Sequence, residues 1–440
     1  MTDQLAATRP DAYVSDGTSP PTAFRPAFAG LRCRACQTPV PTGPVFVCPA
    51  CLGPLEPVYD LEAVAGRLSR DVVEARPPTI WRFAELLPVE SEPPALPAVG
   101  YSPLLPAPRL AARLGLERLW IKDDSRNPTL SFKDRVVAVA AARAVEFGFH
   151  TLVCASTGNL SASVAAAAAT LGLRAVVFVP ADLEPAKIAQ AQALGATVVR
   201  VDGVYDDVNR LCLELTDELD GWAVVNVNLR PFYAEGSKTL AFEIAHQLGW
   251  RTPDVVVAPL ASGSLYTKLA RGFDELARVG LIEGPRVRYV GGQAAGCAPI
   301  ATAYAQGADE WQPVRQPSTI VRSLAIGTPA DGVYALRLAR RSGGAIYGLP
   351  DPLTVDSIRL LAETEGVLTE TAGGVTLAAL RRAVDEGRVQ GADEVVLVIT
   401  GNGLKTLDVI TADIPLGEPI APTFDAFERW WGEREDQLAA

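Results

Sequence analysis

From about Leu119 onward, short runs of apolar and β-branched residues alternate with amphipathic segments. The runs include RAVVFVP, DVVVAPL and EVVLVITG, and segments such as EPAKIAQAQALG and GSKTLAFEIAHQLG lie between runs of this kind. Apolar strands that alternate with helices at this spacing predict parallel sheets covered by helices. There are more strands than one sheet comfortably holds, so the pattern predicts an α/β fold with two lobes and parallel or mixed sheets.

The pattern changes along the chain, and the changes predict domain boundaries. Nine prolines between Pro77 and Pro108 predict a connector that leads into the main body. The predicted organisation is a flexible lead-in (1–27), a cysteine-containing module (28–60), the proline-rich connector (61–108), a large domain (109–145 and 232–415), a small α/β domain (146–231) and a C-terminal tail (416–440).

The composition and charge of the chain disfavour some classes of binding partner. The formal net charge is −11, which argues against a nucleic-acid partner because such proteins present a basic face. An anionic small molecule stays compatible with this charge, since a few cations and helix N-termini bind it locally. No apolar run approaches the roughly 20 residues of a membrane helix, and the first 30 residues lack a signal-peptide pattern. We therefore expect a cytoplasmic protein with no membrane partner.

Four of the seven cysteines lie in one short region, CRACQTPVPTGPVFVCPAC. Cys33 and Cys36 form one CxxC pair, and Cys48 and Cys51 form the second. Two such pairs predict a Cys₄ zinc site of the zinc-ribbon type. Disulfides are the competing interpretation, which a cytoplasmic location disfavours, and a ribbon that has kept its shape without metal is another. Four thiolates leave no open position on a metal, so the expected role of Zn²⁺ is structural.

The segment NPTLSFKDR places Lys133 immediately before the Ala/Val-rich stretch VVAVAAARAVEFG, which predicts a buried helix. Only six of the 40 basic residues are lysines, and a nucleophilic amine is one need that arginine cannot meet. Lys133 is thus a candidate nucleophile, although an end-of-helix charge is the simpler interpretation. The two histidines lie in no nucleophile–base pattern, which disfavours catalysis by histidine.

Three turns at predicted strand ends are rich in glycine and small polar residues: ASTGNLSAS, ASGSL and TGNGLK. Ligands bind at the carboxyl ends of strands in doubly wound sheets, and backbone amides at a helix start cradle anions. Each turn alone is compatible with an ordinary helix cap. Together with a singled-out lysine they suggest pyridoxal 5'-phosphate, which needs an amine, a phosphate site and partners for its ring.

The motifs NPTLSFKDR, STGNLSAS, NVNLRPFYAEGSKTLAFEIAHQLGW, TETAGGVT and ITGNGLK together resemble the threonine synthase family. That family belongs to the pyridoxal-phosphate enzymes of fold type II, which are similar to the tryptophan synthase β subunit. The resemblance runs from about Tyr101 to Asp408, and the cysteine module followed by PLEPVYDLEAV is similar to the N-terminal extension of many members.

The resemblance implies a role for each matching residue. Lys133 would form the Schiff base with the cofactor and move protons in the reaction, and the large domain would be the cofactor-binding one. The other residues that would bind the cofactor are Asn159, Ala261, Ser262, Gly263, Ser264, Leu265 and Thr400. The residues that would bind the substrate are Ser156, Thr157 and Ser161, with Asn228, Arg230 and Lys238 as candidates near its phosphate.

The implied reaction converts O-phospho-L-homoserine and water into L-threonine and phosphate, and a homodimer is common among relatives. One alternative is another reaction on the same scaffold, such as that of a cysteate synthase or a threonine dehydratase. A second alternative is a zinc-ribbon binding module on an inactive α/β body. The chain departs from the family pattern at Leu130, where many members have Gly, and at ASGSL, which replaces a Gly/Asn-rich loop.

Overall fold

The computed structural model describes residues 26–91, 98–156, 158–181, 183, 185–203, 205–411 and 417–438. Contacts divide them into two compact units. The first unit contains the described residues up to Tyr101, with Lys133–Glu243 and Arg271–Pro285. The second unit contains Ser102–Phe132, Ile244–Ala270 and the described residues from Arg286 onward.

In chain order, the strands are β1 (Phe28–Cys33), β2 (Pro39–Val40), β3 (Leu55–Tyr59), β4 (Leu104–Pro106), β5 (Arg118–Asp123), β6 (Thr151–Ala155), β7 (Arg174–Pro180), β8 (Thr197–Val201), β9 (Trp222–Val224), β10 (Val255–Pro259), β11 (Arg288–Ala294), β12 (Ala345–Leu349) and β13 (Glu394–Ile399).

The α-helices are α1 (Leu61–Ala65), α2 (Arg70–Glu74), α3 (Pro108–Leu114), α4 (Lys133–Glu146), α5 (Asn159–Leu171), α6 (Pro185–Ala193), α7 (Tyr205–Glu218), α8 (Arg230–Glu235), α9 (Thr239–Gln247), α10 (Ser264–Arg278), α11 (Pro299–Ala305), α12 (Gly332–Ser342), α13 (Asp351–Glu365), α14 (Thr371–Asp385), α15 (Leu407–Thr411) and α16 (Phe424–Leu438). Among the described residues, no helix combines the length and apolarity needed to cross a bilayer.

The second unit is built on a six-stranded sheet in the order β12-β11-β10-β13-β5-β4. Its strands are parallel except for the edge strand β4, which pairs with β5 in the antiparallel sense. Every residue of β10 and β13 is buried, as expected for central strands covered on both faces. Because β10 and β13 are parallel neighbours, the turns that follow them lie at the same edge of the sheet.

The first unit holds two sheets. The three-stranded antiparallel sheet β2-β1-β3 carries the cysteine module, and the four-stranded sheet β8-β7-β6-β9 is parallel. Apolar side chains of the parallel sheet, such as Val153 and Val224, pack against Val208 and Cys212 of α7. The prediction of an α/β fold with parallel and mixed sheets is confirmed.

Helix α4 is the packing centre of the first unit. It contacts both α5 and α8, and its residues 136 to 142 are all buried. Arg135 forms a fully buried ion pair with Glu243 of α9, in which its Nη2 lies 2.7 Å from Oε2. A turn of 3₁₀ helix, Gly236–Lys238, follows α8, and a Cβ at Gly236 would overlap the Arg135 carbonyl oxygen. The backbones of α4 and of this turn therefore lie in direct contact.

Candidate active site

Lys133 is the first residue of α4 and is half-buried. The three residues before it are fixed to the end of β13. The Phe132 N–H donates to the Thr400 carbonyl at 2.8 Å, Ser131 forms an antiparallel bridge with Gly401, and the Asn402 N–H donates to the Leu130 carbonyl at 3.1 Å. These hydrogen bonds fix the backbone of Phe132, the residue immediately before Lys133, against the residues that follow β13.

Leu130 has a backbone φ of 64°, in the left-handed region that favours glycine. The resemblance to the family had placed glycine at this position, and the structure shows the conformational reason. The N–H of Leu130 donates to the Asn127 carbonyl at 2.8 Å, which closes a turn ahead of the lysine. The leucine therefore adopts the glycine-type conformation and keeps the turn.

The ammonium group of Lys133 donates to the hydroxyl of Tyr233 at 3.3 Å. Tyr233 lies on α8 and is half-buried, and its ring centroid is 5.9 Å from Nζ. Sequence reasoning missed this tyrosine, although it lies within the quoted motif NVNLRPFYAEGSK. No periodicity or spacing connects a residue on α8 with the start of α4, so only the packing of the two helices reveals the pair.

The turn between β6 and α5 holds three of the predicted residues. Asn159 is half-buried and begins α5. The Ser161 hydroxyl donates to the Gly158 carbonyl at 2.6 Å, and the Ser156 hydroxyl accepts from the Gly158 N–H at 3.2 Å. Both serines therefore shape the turn around Gly158. The fourth predicted residue here, Thr157, lies outside the described residues.

The predicted phosphate loop joins β10 to the start of α10. Gly263 has a φ of 92°, and a Cβ there would lie 3.0 Å from the Asp331 carbonyl oxygen, so the loop is closely packed from behind. The Asp331 N–H donates to the Ser262 carbonyl at 2.9 Å and fixes the loop. The first amides of a helix have no acceptor within the helix, so Ser264 and Leu265 begin a site with the donors that a phosphate requires. This arrangement fits the phosphate of pyridoxal phosphate.

Thr400 follows β13 at the same sheet edge and is buried. Its hydroxyl donates to Glu370 Oε1 at 3.4 Å. Glu370 is itself 4% exposed, and a Cβ at Gly401 would overlap its carboxylate. The carboxylate therefore orients the threonine hydroxyl. The sequence did not single out Glu370, although it lies in the motif TETAGGVT.

Two of the candidate contacts for a substrate phosphate lie near each other in sequence. Asn228 is buried; its Nδ2 donates to the Trp222 carbonyl at 3.4 Å, and no described residue hydrogen-bonds its buried Oδ1. Arg230 is half-buried, with its guanidinium carbon 5.9 Å from the centroid of the Phe46 ring. A phosphate needs donors, and Asn228 can offer it only the second hydrogen of Nδ2, whereas the half-buried Arg230 carries the several N–H groups of a guanidinium.

Lys238, the third candidate, has a fully buried side chain. Its Nζ lies 2.7 Å from Glu235 Oε2 and 2.7 Å from Glu275 Oε2. Neither contact has the angle of a hydrogen bond, so the attraction is electrostatic. The Tyr59 hydroxyl donates to the same Glu235 oxygen at 2.7 Å, and the Tyr59 ring centroid lies 3.8 Å from Nζ. Burial, and then the Glu235 carboxylate, raise the pKa of Tyr59 well above its usual value.

The four Sγ atoms of Cys33, Cys36, Cys48 and Cys51 all lie within 4.8 Å of one another. In each pair an amide N–H points at the first sulfur, from Cys36 to Cys33 and from Ala50 to Cys48. The residue after each pair has a positive φ, 64° at Gln37 and 59° at Leu52. The hydrogen bond with the Thr38 side chain, followed by that with its backbone, lowers the pKa of Cys36 to about 6, whereas the pKa of Cys51 in the same cluster is raised to about 12. The two repeated turns form a candidate tetrahedral metal site.

A family model described as "Pyridoxal-phosphate dependent enzyme" matches residues 95–401 of the chain. The chain is 35% identical over 380 residues to the threonine synthase of Methanocaldococcus jannaschii, a match that covers 86% of this chain and 93% of that protein. It is 38% identical over 337 residues to the threonine synthase of Synechocystis sp., which covers 74% of this chain and 84% of that protein. The chain belongs to the threonine synthase family.

Solved structures show the same fold at lower identity. A diaminopropionate ammonia lyase from Escherichia coli is 22% identical with a TM-score of 0.60, and the match covers 72% of this chain and 89% of that chain. The processed form of threonine deaminase isoform 2 from Solanum lycopersicum is 22% identical with a TM-score of 0.58, covering 72% and 88%. The threonine synthase family and these structures share fold type II, which confirms the predicted fold class.

Proposed function

We propose that the protein acts as a threonine synthase that converts O-phospho-L-homoserine and water into L-threonine and phosphate. One observation carries the proposal. The chain is 35% identical to a threonine synthase over 86% of its own length. Lys133, within that family's pattern, begins a buried helix with its ammonium group against a neutral phenol.

In this proposal the residues that bind pyridoxal phosphate are Lys133, Asn159, the loop 261–265 and Thr400. The loop and the first amides of α10 supply hydrogen-bond donors to the phosphate, and Thr400, oriented by Glu370, faces the ring nitrogen. When bound, the cofactor draws electrons away from the substrate carbon that loses a proton.

Lys133 Nζ is the base of the proposed mechanism. As a free amine it takes the proton from the α-carbon of the substrate and then moves a proton at the β-carbon. Phosphate leaves the γ-carbon, the γ-carbon is protonated, and water adds at the β-carbon to give L-threonine. One lysine that moves several protons fits a chain whose two histidines lie in no nucleophile–base pattern. We propose that the turn containing Ser156 and Ser161 binds the substrate carboxylate.

For the substrate phosphate we propose Arg230 and Asn228 rather than Lys238. The guanidinium group of the half-buried Arg230 supports this choice, because a guanidinium can bind a phosphate through paired hydrogen bonds. The ammonium of Lys238 is instead occupied by two buried carboxylates, which supports a structural role. We expect Arg230→Gln to raise KM for the phosphorylated substrate about tenfold, with Arg210→Gln, on the surface of α7, as the matched control.

The test is to incubate the purified enzyme with O-phospho-L-homoserine and, in parallel, with O-phospho-L-serine. We expect phosphate and L-threonine in equal amounts from the first substrate, and neither product from Lys133→Ala. Phosphate release from phosphoserine alone would overturn the assignment and favour a β-replacement enzyme. A ketoacid product in place of threonine would favour a dehydratase.

We also propose that the four clustered cysteines hold a structural Zn²⁺. Their mutual distances of at most 4.8 Å support this, since four sulfurs at about 2.3 Å from one ion lie under 4 Å apart. None of the seven cysteines forms a disulfide, which fits the reducing, cytoplasmic location that we propose. Elemental analysis should find one zinc per chain in the wild type and none in Cys48→Ser, while Cys297→Ser keeps its zinc. Absence of zinc from the wild type would overturn this assignment.

The expected homodimer stays a prediction.

A further inference from the structure

The contact between Lys133 and Tyr233 has a supporting structure of its own. Tyr233 lies on α8, a helix of only six residues, which by itself would not hold a side chain firmly. Two contacts fix its position: α8 packs on α4, and the turn that follows α8 touches the backbone of α4 at Gly236. The hydroxyl of Tyr233 is therefore held at a defined place beside the lysine.

Glu235 connects this helix to the cysteine module. The hydroxyl of Tyr59, the last residue of β3, donates to Glu235 Oε2 at 2.7 Å. Strand β3 pairs with β1, and the Leu55–Cys33 register places this ladder directly beside the first cysteine. All these residues belong to the first unit. A continuous series of contacts thus leads from the module through Tyr59 and Glu235 to the helix that carries Tyr233.

The chemistry of the partner suits a lysine that must gain and lose protons. A carboxylate beside an amine favours the charged form, whereas a phenol carries no charge at neutral pH. A phenol hydroxyl can also accept a hydrogen bond from an ammonium group and donate one to a neutral amine. The hydrogen bond therefore survives each change in the protonation state of Nζ.

Several charged side chains near this contact form ion pairs. On α4, Arg135 pairs with Glu243 and Arg143 pairs with Glu146; Glu235, the last residue of α8, pairs with Lys238. The phenol hydroxyl of Tyr233 is the group through which α8 contacts the amine.

We propose that Tyr233 positions the amine of Lys133 for proton transfer, and that the Tyr59–Glu235 hydrogen bond holds Tyr233 in place, so that the cysteine module supports the reactive lysine. This inference rests on the proposed function. It assigns the module a part in the reaction, beyond the stability that a structural ribbon provides. Tyr233 is a positioning residue, because its observed contact is with Lys133.

The decisive variant is Tyr233→Phe, which removes the hydroxyl and keeps the ring. We expect kcat to fall about tenfold or more with KM changed by less than about threefold, since the loss affects proton transfer and not substrate binding. Lys133 Nζ is the donor in the observed hydrogen bond, and a bond donated by a charged nitrogen is stronger than one accepted by a neutral nitrogen, so the loss of the bond disfavours the protonated nitrogen. The pH midpoint of the visible absorption of the bound cofactor should therefore fall by about half a unit, the shift that corresponds to one ordinary hydrogen bond.

The matched control is Tyr304→Phe, which also removes one hydroxyl hydrogen bond, that to the Gly344 carbonyl at 2.8 Å in the second unit. It should leave both kcat and the pH midpoint unchanged. If Tyr233→Phe lowers only thermal stability or cofactor content, and the midpoint does not move, Tyr233 is merely structural and the proposal is wrong.

The second variant, Tyr59→Phe, tests the connection to the module. We expect a smaller shift of the midpoint in the same direction as in Tyr233→Phe. An unchanged midpoint in Tyr59→Phe would contradict the proposed connection between the cysteine module and Tyr233. This variant tests the connection even if Tyr233→Phe does not fold. If the wild type releases no phosphate from any substrate but the midpoint still responds, the proposed function fails and the positioning role stands.

Discussion

Two lysines of the first unit differ in the groups that surround their ammonium nitrogens. Lys133 is half-buried, and its nitrogen is 3.3 Å from a phenol hydroxyl. Lys238 has no exposed side chain, and its nitrogen is 2.7 Å from each of two carboxylates. The sequence singled out both residues, one as the nucleophile and the other as a candidate phosphate contact.

The difference shows how a protein directs one residue type to two tasks. Two carboxylates within 2.7 Å make the ammonium group of Lys238 a part of the fold, because its removal would leave their charges uncompensated. A phenol hydroxyl can both accept and donate a hydrogen bond, which suits the proton transfers proposed for Lys133. The partner atoms, more than the depth of burial, separate the reactive lysine from the structural one.

The largest effect expected from this comparison is that of Lys133→Ala on activity. The change removes the proposed base and should lower kcat about 10³-fold or more. Because the side chain is half-exposed, the free energy of unfolding should change by less than about 1 kcal/mol. Steady-state kinetics and urea denaturation measure the two quantities. Retention of a tenth of wild-type activity would remove the distinction between the two lysines.

The reverse result is expected for Lys238→Met. Methionine keeps the length of the chain but leaves Glu235 and Glu275 buried without a counter-charge, which should cost about 3 to 5 kcal/mol in the free energy of unfolding. In the folded fraction, kcat should stay within about threefold of wild type. Adding Glu235→Gln and Glu275→Gln should restore at least half of the lost stability. A fully stable single variant would show that the ion pairs contribute nothing.

The smallest effect is expected for the stability of Tyr59→Phe, which removes one hydrogen bond to a charged acceptor, worth about 1.5 kcal/mol. The pH dependence gives the sharper signature. Folding raises the pKa of Tyr59 above its usual 10, first through burial and then through Glu235. The unfolded chain therefore loses this proton first, so the contribution of Tyr59 is present below pH 10 and is lost as the pH rises further.

Urea denaturation between pH 8 and pH 11 should thus show a steeper decline for the wild type than for Tyr59→Phe, by up to about 1.4 kcal/mol per pH unit. Tyr304→Phe should decline like the wild type. Parallel curves for wild type and Tyr59→Phe would contradict a raised pKa at this position.

Much of the fold could be predicted because central strands of a covered parallel sheet must be apolar throughout. The run 255–259 shows this in the sequence, and every one of its residues is buried. The position of Lys133 at a helix start and of the turn after β10 also follow from local pattern, since polar residues at strand ends mark such turns.

The side chains that contact Lys133 and Lys238 could not be predicted in the same way. The Lys133–Tyr233 hydrogen bond joins residues 100 positions apart, and the Tyr59–Glu235 hydrogen bond joins residues 176 positions apart. For Lys238, the partner Glu235 is visible three positions earlier, but Glu275 comes from another helix. Contacts of this kind depend on how helices pack, and sequence periodicity carries no record of them.

Glycine at position 236 lets α8 pack closely on α4, and this packing sets the distance between Lys133 Nζ and the Tyr233 hydroxyl. Even a methyl group there would meet the carbonyl oxygen of Arg135 and force the short helix outward. The phenol would move with that helix, and a donor–acceptor separation of 3.3 Å has little room to lengthen before the interaction is lost. An alanine at this site brings no charge, and it would act on proton transfer by lengthening the contact between Lys133 and Tyr233.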